Sequence, residues 1–231
     1  MTPLSHILES KVVAIIRGAN PPDLLRIAQA LHAGGIRTLE ITLNSPGALD
    51  SIKELAAAMS DHLLVGAGTV LDPETARAAL LAGARFIISP TLNKKTIRMT
   101  KRYGAVSIPG AFTATEILAA YEHGGDIIKV FPASVGATYF KDLAGPLPFI
   151  PLMPTGGVSL ENIKEFQQAG AAAFGLGSAL VDTSQPVTDE YLHHSRGRPS
   201  SLCRRFRRRS PPRHENLALH FVSSATALAV S

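Results

Sequence analysis

One lysine, Lys129, lies in an otherwise apolar run that extends from residue 127 to residue 131. A run this short and apolar predicts a strand buried on both faces, as in a parallel sheet. Burial disfavours the charged ammonium form and lowers the pKa of a lysine. Because a neutral amine attacks carbonyl groups, the position predicts a lysine that forms an imine with its substrate. This run alone leaves a second interpretation open, a lysine at a strand end that reaches solvent.

Two more charged residues accompany predicted strands. Arg17 directly follows one apolar run, and Glu40 lies inside another, between Thr38 and Thr42. Side chains alternate across a strand, so Glu40 shares a face with the two threonines and is expected to point away from the helix-packed apolar face. A carboxyl group there can move protons, and an arginine is a bidentate partner for a substrate carboxylate. Taken singly, Arg17 could be a surface charge and Glu40 a buried acid paired with any base.

Short apolar runs alternate with longer amphipathic segments along most of the chain. The predicted helices cover residues 22–33, 47–59, 73–83, 94–103, 114–123, 138–143 and 160–169. Strands alternating with helices predict parallel βα units, hence an α/β fold. Eight strands favour a closed (β/α)₈ TIM barrel over an open doubly wound sheet, and neither Gly-x-Gly segment extends to a dinucleotide-binding fingerprint. The predicted strands are Val12–Ile16, Thr38–Leu43, Leu64–Ala67, Phe86–Ser89, Val106–Ile108, Ile127–Phe131, Ile150–Met153 and Ala172–Gly175.

Further polar and glycine residues follow the carboxyl ends of these strands, where the reacting groups of such barrels lie. The loops after the seventh and eighth strands often bind phosphate in this fold. Backbone N–H groups and a hydroxyl at helix N-termini there would favour an anion. Taken singly, each threonine could be structural and the paired glycines could mark only a tight turn. These strand-end residues are Thr69, Pro90, Thr155, Gly156, Gly157, Gly177 and Ser178.

Composition restricts the class of protein. The 231 residues, 45% of them apolar, suit one large domain or two small ones. Cys203 is the only cysteine, which excludes an intrachain disulfide and a cysteine-rich metal site. The start of the chain does not resemble a signal peptide, and no 18-residue apolar run occurs. We therefore expect a cytoplasmic protein without a membrane partner.

Seven motifs in a fixed order resemble one enzyme family. They are Ala14-Ile15-Ile16-Arg17, Leu39-Glu40-Ile41-Thr42, Gly66-Ala67-Gly68-Thr69-Val70, Ile88-Ser89-Pro90, Ile108-Pro109-Gly110, Ile128-Lys129-Val130-Phe131-Pro132-Ala133 and Pro154-Thr155-Gly156-Gly157-Val158. Over about residues 5–191 the chain resembles the class I 2-keto-3-deoxy-6-phosphogluconate (KDPG) aldolases. That family includes the 6-phosphogalactonate and 4-hydroxy-2-oxoglutarate aldolases.

The resemblance implies a homotrimeric barrel that cleaves a phosphorylated 2-keto-3-deoxy sugar acid to pyruvate and glyceraldehyde 3-phosphate, with neither a metal nor a cofactor. It implies that Lys129 is the Schiff-base lysine and Glu40 the general acid and base. Thr155 would contact the hydroxylated chain of the substrate, and the glycine loops would bind its phosphate. The residues implied to shape the pyruvate pocket are Arg17, Thr69, Pro90 and Phe131.

The chain departs from the family pattern near the substrate. Asn44 stands where some phosphogluconate aldolases have arginine, and Asn44 and Ser134 are more similar to the galactonate branch. Pro154 and Thr155 are more similar to the gluconate branch. Both sugar epimers, and hydroxy-oxoglutarate, therefore stay open as substrates.

The composition changes abruptly after residue 191. Residues 192–231 contain eight arginines, no lysine and one acid, whereas residues 1–191 carry a net charge of −2. We therefore divide the chain into an aldolase barrel, residues 1–191, and an atypical Arg/Ser/Pro-rich tail, residues 192–231, from a shifted reading frame or true divergence. Residues 195–213 are expected to be disordered, because they have little apolar periodicity.

Two functions other than that of an aldolase stay open. One is a phosphate-binding barrel isomerase or epimerase, which would need no imine. The other is nucleic-acid binding through the arginines of the tail, which could neutralise phosphates. A zinc site is disfavoured because the spacing of its candidate ligands matches no zinc motif known to us. Those candidates are His193, His194, Cys203 and His214.

Overall fold

A computed structural model describes residues 1–207, except for several side chains between residues 194 and 207. Its strands are β1 (Val12–Ile16), β2 (Thr38–Thr42), β3 (Leu64–Gly68), β4 (Phe86–Ile88), β5 (Val106–Ile108), β6 (Gly110–Ala111), β7 (Ile128–Val130), β8 (Leu152–Pro154) and β9 (Phe174–Leu176). Its helices are α1 (Pro3–Ser10), α2 (Pro21–Ala33), α3 (Ala48–Met59), α4 (Pro73–Leu81), α5 (Lys94–Arg102), α6 (Ala114–Glu122), α7 (Ala137–Ala144), α8 (Ile163–Gln168) and α9 (Asp189–Arg207), with a 3₁₀ turn at Ala133–Val135.

All described strand pairs are parallel. One sheet has the order β5-β4-β3-β2-β1-β9, and a second has the order β6-β7-β8. A parallel bridge between Thr155 and Gly175 joins the second sheet to β9, and only Pro109 separates β5 from β6. The α/β class and its parallel βα units are therefore confirmed, with the strands curled into a barrel-like wall.

Each predicted strand is present, although the later ones are displaced by one or two residues. The expected strand at 150–153 lies at 152–154, and the one at 172–175 lies at 174–176. Pro151 explains the first shift, because proline has no N–H to donate to a ladder. Two helices, α1 and α9, were not predicted. The sequence pattern for the start of α1 is nevertheless there, a threonine followed by a proline. The Thr2 side chain caps the helix by accepting from the Ser5 N–H, and Pro3 lies in the first turn.

The apolar core has an outer and an inner layer. The outer layer lies between the strands and the helices, and it includes Leu39 and Ile41. The inner layer is formed by residues in the strands or directly before them, packed together with Ile7 of α1. Gly66 makes room in it, since a Cβ there would overlap the Phe86 ring. The inner residues are Val13, Phe86, Ile88, Val106, Ile108, Ile127, Met153 and Ala173.

Helix α9 departs from the expected tail. It crosses the proposed boundary at residue 191, packs on α2 and is helical through Arg207. Leu192, Ser195, Pro199 and Leu202 are buried at helical spacing, a stripe that includes a small polar residue and a proline. This stripe lacks the run of large apolar residues that predicts a buried helix face. The rest of the tail, from residue 208 on, lies outside the described residues.

No helix within residues 1–207 has both the length and the apolar character needed to cross a membrane.

Candidate active site

A cavity of about 460 Å³ opens at the carboxyl ends of the strands. All the predicted site residues except Glu40 line it, so the structure brings together positions that are scattered along the sequence. A larger cavity of about 720 Å³ lies at the opposite end, beside α1. Its lining has no buried charged side chain, so the chemistry belongs to the smaller cavity. The predicted residues in that lining are Arg17, Thr69, Pro90, Lys129, Phe131, Thr155, Gly156, Gly157, Gly177 and Ser178.

Lys129 lies in the middle of β7, and its residue surface is only 5% exposed. Its backbone N–H donates to the Pro109 carbonyl at 2.9 Å, and its Nζ lies 5.0 Å from the centroid of the Phe131 ring. Burial lowers the pKa of Lys129, and the positive charge of Arg17 acts in the same direction, while the charge of Glu40 opposes both. The site therefore favours the neutral, nucleophilic amine.

Glu40 lies on the inner face of β2, and 1% of its residue surface is exposed. Its Oε2 is buried and has no hydrogen-bond partner among residues 1–207. Burial raises the pKa of Glu40, against the opposing charges of Lys129 and Arg17. Gly68 on β3 makes this placement possible, since a Cβ there would overlap Oε1 of Glu40. The inward orientation predicted from strand parity is confirmed.

The two desolvated groups favour a neutral acid beside a neutral amine. A neutral amine can add to a ketone, and a nearby carboxylic acid can protonate the hydroxyl that must leave as water. The unpartnered Oε2 is then an available site for a substrate hydroxyl or a water molecule, because a buried carboxyl oxygen without a partner is costly.

Arg17 lies at the end of β1 and is exposed. Its Nη1 donates to Oδ1 of Asn44 at 3.1 Å, and its Nη2 lies 3.5 Å from Oγ1 of Thr69. Thr69 has a left-handed backbone with φ of 57°, which is rare for a β-branched residue and indicates local strain. These contacts fix the guanidinium at the cavity edge. No pattern in the sequence indicated that Asn44 would orient Arg17.

The glycine loops lie on the other side of the cavity. Gly156 and Gly157 have φ of 76° and 85°, so both need the conformational freedom of glycine. The expected helix N-termini are absent there: α8 begins only at Ile163, and Ser178 opens a single turn in which the Leu180 N–H donates to the Gly177 carbonyl at 2.8 Å. An anion would therefore meet backbone N–H groups and a hydroxyl, without the help of a helix dipole.

The family model described as "Aldolase: KDPG and KHG aldolase" matches residues 4–193. The chain belongs to this family. It is 39% identical over 178 residues to 2-dehydro-3-deoxy-6-phosphogalactonate aldolase of Escherichia coli K12, covering 76% of this chain and 87% of that one. It is 41% identical over 160 residues to 2-dehydro-3-deoxy-phosphogluconate aldolase of Pseudomonas aeruginosa, covering 68% and 72%.

Solved structures agree with this family. KDPG aldolase from Legionella pneumophila, solved with pyruvate captured as a covalent carbinolamine intermediate, has a TM-score of 0.75 and 30% identity, covering 88% of this chain and 97% of that one. A porous cage designed by fusing symmetric oligomeric domains contains a chain with a TM-score of 0.80 and 36% identity, covering 86% and 73%. This aldolase therefore shares its fold with an enzyme that was trapped in covalent chemistry with pyruvate.

The geometry of Glu40 predicts the effect of replacing it. We expect Glu40→Gln to lower turnover by roughly 10²–10⁴-fold, because the amide fits the same buried space but cannot exchange a proton. Steady-state cleavage kinetics measure this, with Glu54→Gln on the exposed face of α3 as the matched control. Turnover in Glu40→Gln equal to that of the control would remove Glu40 from the chemistry.

Proposed function

We propose that this chain cleaves 2-dehydro-3-deoxy-6-phosphogluconate, or its galactonate epimer, to pyruvate and glyceraldehyde 3-phosphate through a Schiff base. The observation that carries the proposal is a buried lysine, Lys129, in the lining of the strand-end cavity. Burial lowers the pKa of its amine, and Glu40 is close enough for its charge to affect that pKa. Membership of the aldolase family supports the same conclusion.

The reaction follows from the two groups. The Nζ of Lys129 adds to the C2 ketone, and one of its two protons moves to the C2 oxygen. Glu40 gives that oxygen a second proton, so that it leaves as water and a protonated imine (iminium) remains. Glu40, now a carboxylate, takes the proton of the C4 hydroxyl. The C3–C4 bond breaks, its electron pair moves toward the iminium to form an enamine, and the aldehyde departs. Glu40 then returns a proton to C3, which leaves the iminium of pyruvate. One water molecule hydrolyses this iminium, which releases pyruvate and the free amine of Lys129 and returns a proton to Glu40.

The cavity offers a partner for each part of the substrate. Arg17, held by Asn44 and Thr69, would bind the C1 carboxylate. Pro90 and Phe131 would enclose the pyruvate methylene, and Thr155 would contact the hydroxylated chain. Thr155 supports this role because its Oγ1 is buried and has no hydrogen-bond partner within residues 1–207.

The phosphate would bind at the opposite side, beside Gly156, Gly157, Gly177 and Ser178. These residues line the same cavity as Lys129. A phosphate there would accept hydrogen bonds from backbone N–H groups and from the Ser178 hydroxyl. The carboxylate and the phosphate of one substrate would thus bind on opposite sides of the reactive amine.

We also propose that the barrel is a closed (β/α)₈ barrel in a homotrimer, with its catalytic domain in residues 1–191. Continuity of β5 with β6 through Pro109 and the Thr155–Gly175 bridge support closure. The match to residues 4–193 supports the domain, and similarity to a chain in a cage of fused oligomeric domains supports assembly.

Borohydride trapping tests the imine. Incubation with pyruvate and borohydride should add the reduced pyruvate unit to Lys129, as read by peptide mass mapping. Lys129→Arg keeps the positive charge and should abolish the adduct, whereas Lys141→Arg on the exposed face of α7 should not. An adduct on another lysine with Lys129 unmodified would contradict the assignment, and no adduct at all would favour the isomerase or nucleic-acid alternative.

A new negative charge at Ser178 tests the phosphate side. We expect Ser178→Asp to raise KM for the phosphorylated substrate roughly fivefold to a hundredfold, the scale of like charges about 5 Å apart near a protein surface. Ser178→Asn is the neutral control. Gly157 is a poor position for this test, because a Cβ there would lie 2.9 Å from Cα of Ser134.

The same sugar acid without phosphate separates charge repulsion from damage. Its kinetics should differ little between Ser178→Asp and Ser178→Asn. Equal losses for the two substrates in the aspartate variant would place the phosphate elsewhere.

A further inference from the structure

The segment after β9 forms one side of the active-site cavity without regular secondary structure. We call residues 177–184 the cavity loop. Ala179, Val181, Asp182 and Thr183 line the cavity together with the predicted Gly177 and Ser178. Its backbone hydrogen bonds are local, such as those from the Leu180 and Val181 N–H groups to the Gly177 carbonyl, so side-chain contacts help to attach it to neighbouring elements.

One hydroxyl satisfies both backbone groups of a residue in this loop. Oη of Tyr191 accepts from the Asp182 N–H at 2.6 Å and donates to the Asp182 carbonyl at 3.0 Å. A phenol can do both because it is a donor and an acceptor at once. The cavity loop is thus held from outside by a side chain that does not line the cavity.

The cavity loop also contacts Arg17, on the side of the cavity where the substrate carboxylate would bind. Oγ1 of Thr183 donates to the backbone carbonyl of Arg17. Within the same turn, the Asp182 carboxylate accepts hydrogen bonds from the Ser184 N–H at 3.1 Å and from the Ser184 hydroxyl at 2.6 Å. The loop therefore forms a compact turn fixed to β1 on one side and to Tyr191 on the other.

Tyr191 lies at the start of α9, which hydrogen bonds from α2 hold in place. Arg26 of α2 donates to the Val187 carbonyl at 2.9 Å and to Oδ1 of Asp189 at 2.7 Å. The Tyr191 N–H donates to Oγ1 of Thr188 at 3.1 Å, and the adjacent Leu192 is buried. The contacts between α2 and the start of α9 thus support the phenol that bonds the cavity loop.

We propose that Tyr191 is a positioning residue whose hydroxyl places the cavity loop for binding of the substrate's phosphate. This rests on the proposed function for the identity of the ligand, but the contact itself does not depend on it. The start of α9, where the proposed barrel region ends, is then part of the working enzyme. Displacement of a binding backbone by about 1 Å is enough to weaken a productive complex strongly.

Tyr191→Phe removes only the hydroxyl and keeps the packed ring. We expect KM for the phosphorylated substrate to rise roughly tenfold, the scale of one or two neutral hydrogen bonds, with kcat within about twofold. Borohydride trapping with pyruvate should proceed as in the wild type, since pyruvate has no phosphate. Tyr103→Phe is the matched control, because its hydroxyl accepts from Nε of Arg77 at 2.8 Å on the outer surface.

Hydrogen exchange gives a readout that does not need catalysis. Amides of residues 177–184 should exchange faster in Tyr191→Phe than in Tyr103→Phe, with the melting temperatures of both variants similar. If the wild type fails to trap pyruvate, the proposed function fails, while the exchange data still decide whether Tyr191 holds the loop. Unchanged exchange in the loop, or equal loss of pyruvate trapping and phosphorylated-substrate binding, would overturn the proposal.

Discussion

The site depends on the burial of one amine and one carboxyl group on the inner face of the curled sheet. Desolvation works against the charge of both, so it lowers the pKa of Lys129 and raises that of Glu40. Each charge would stabilise the other, yet burial is the larger effect for both groups. The missing Cβ of Gly68 gives Glu40 the space to be buried beside β3.

The same burial makes stability depend on pH in two windows. The unfolded chain binds the lysine proton more readily, so the contribution of Lys129 to stability is present at high pH and is lost as pH falls from 10.5 toward its lowered folded value. Glu40 acts in the opposite direction, because its folded pKa is raised. Its contribution is present below 4.5 and is lost as pH rises through the folded value. Such costs are typical of active sites, where function competes with stability.

The catalytic side of the barrel was largely predictable from sequence. Alternation along β2 predicted the inward face of Glu40, and the apolar run around Lys129 predicted its burial, because both depend on local pattern alone. The contacts of Asn44 with Arg17 and of Tyr191 with Asp182 join residues that are distant or irregularly spaced, so no local pattern marks them. Helix α9 was missed because Ser195 and Pro199 occupy its buried stripe where large apolar residues were expected.

A titration of the lysine side chains by nuclear magnetic resonance tests the central claim most directly. The Cε chemical shift of Lys129 should change at a pH below the ordinary lysine value of about 10.4. In Glu40→Gln the Lys129 transition should move lower still, because the opposing carboxylate charge is gone. A Lys129 transition at or above that ordinary value would contradict the account, because burial would then not be the larger effect on the pKa of the amine.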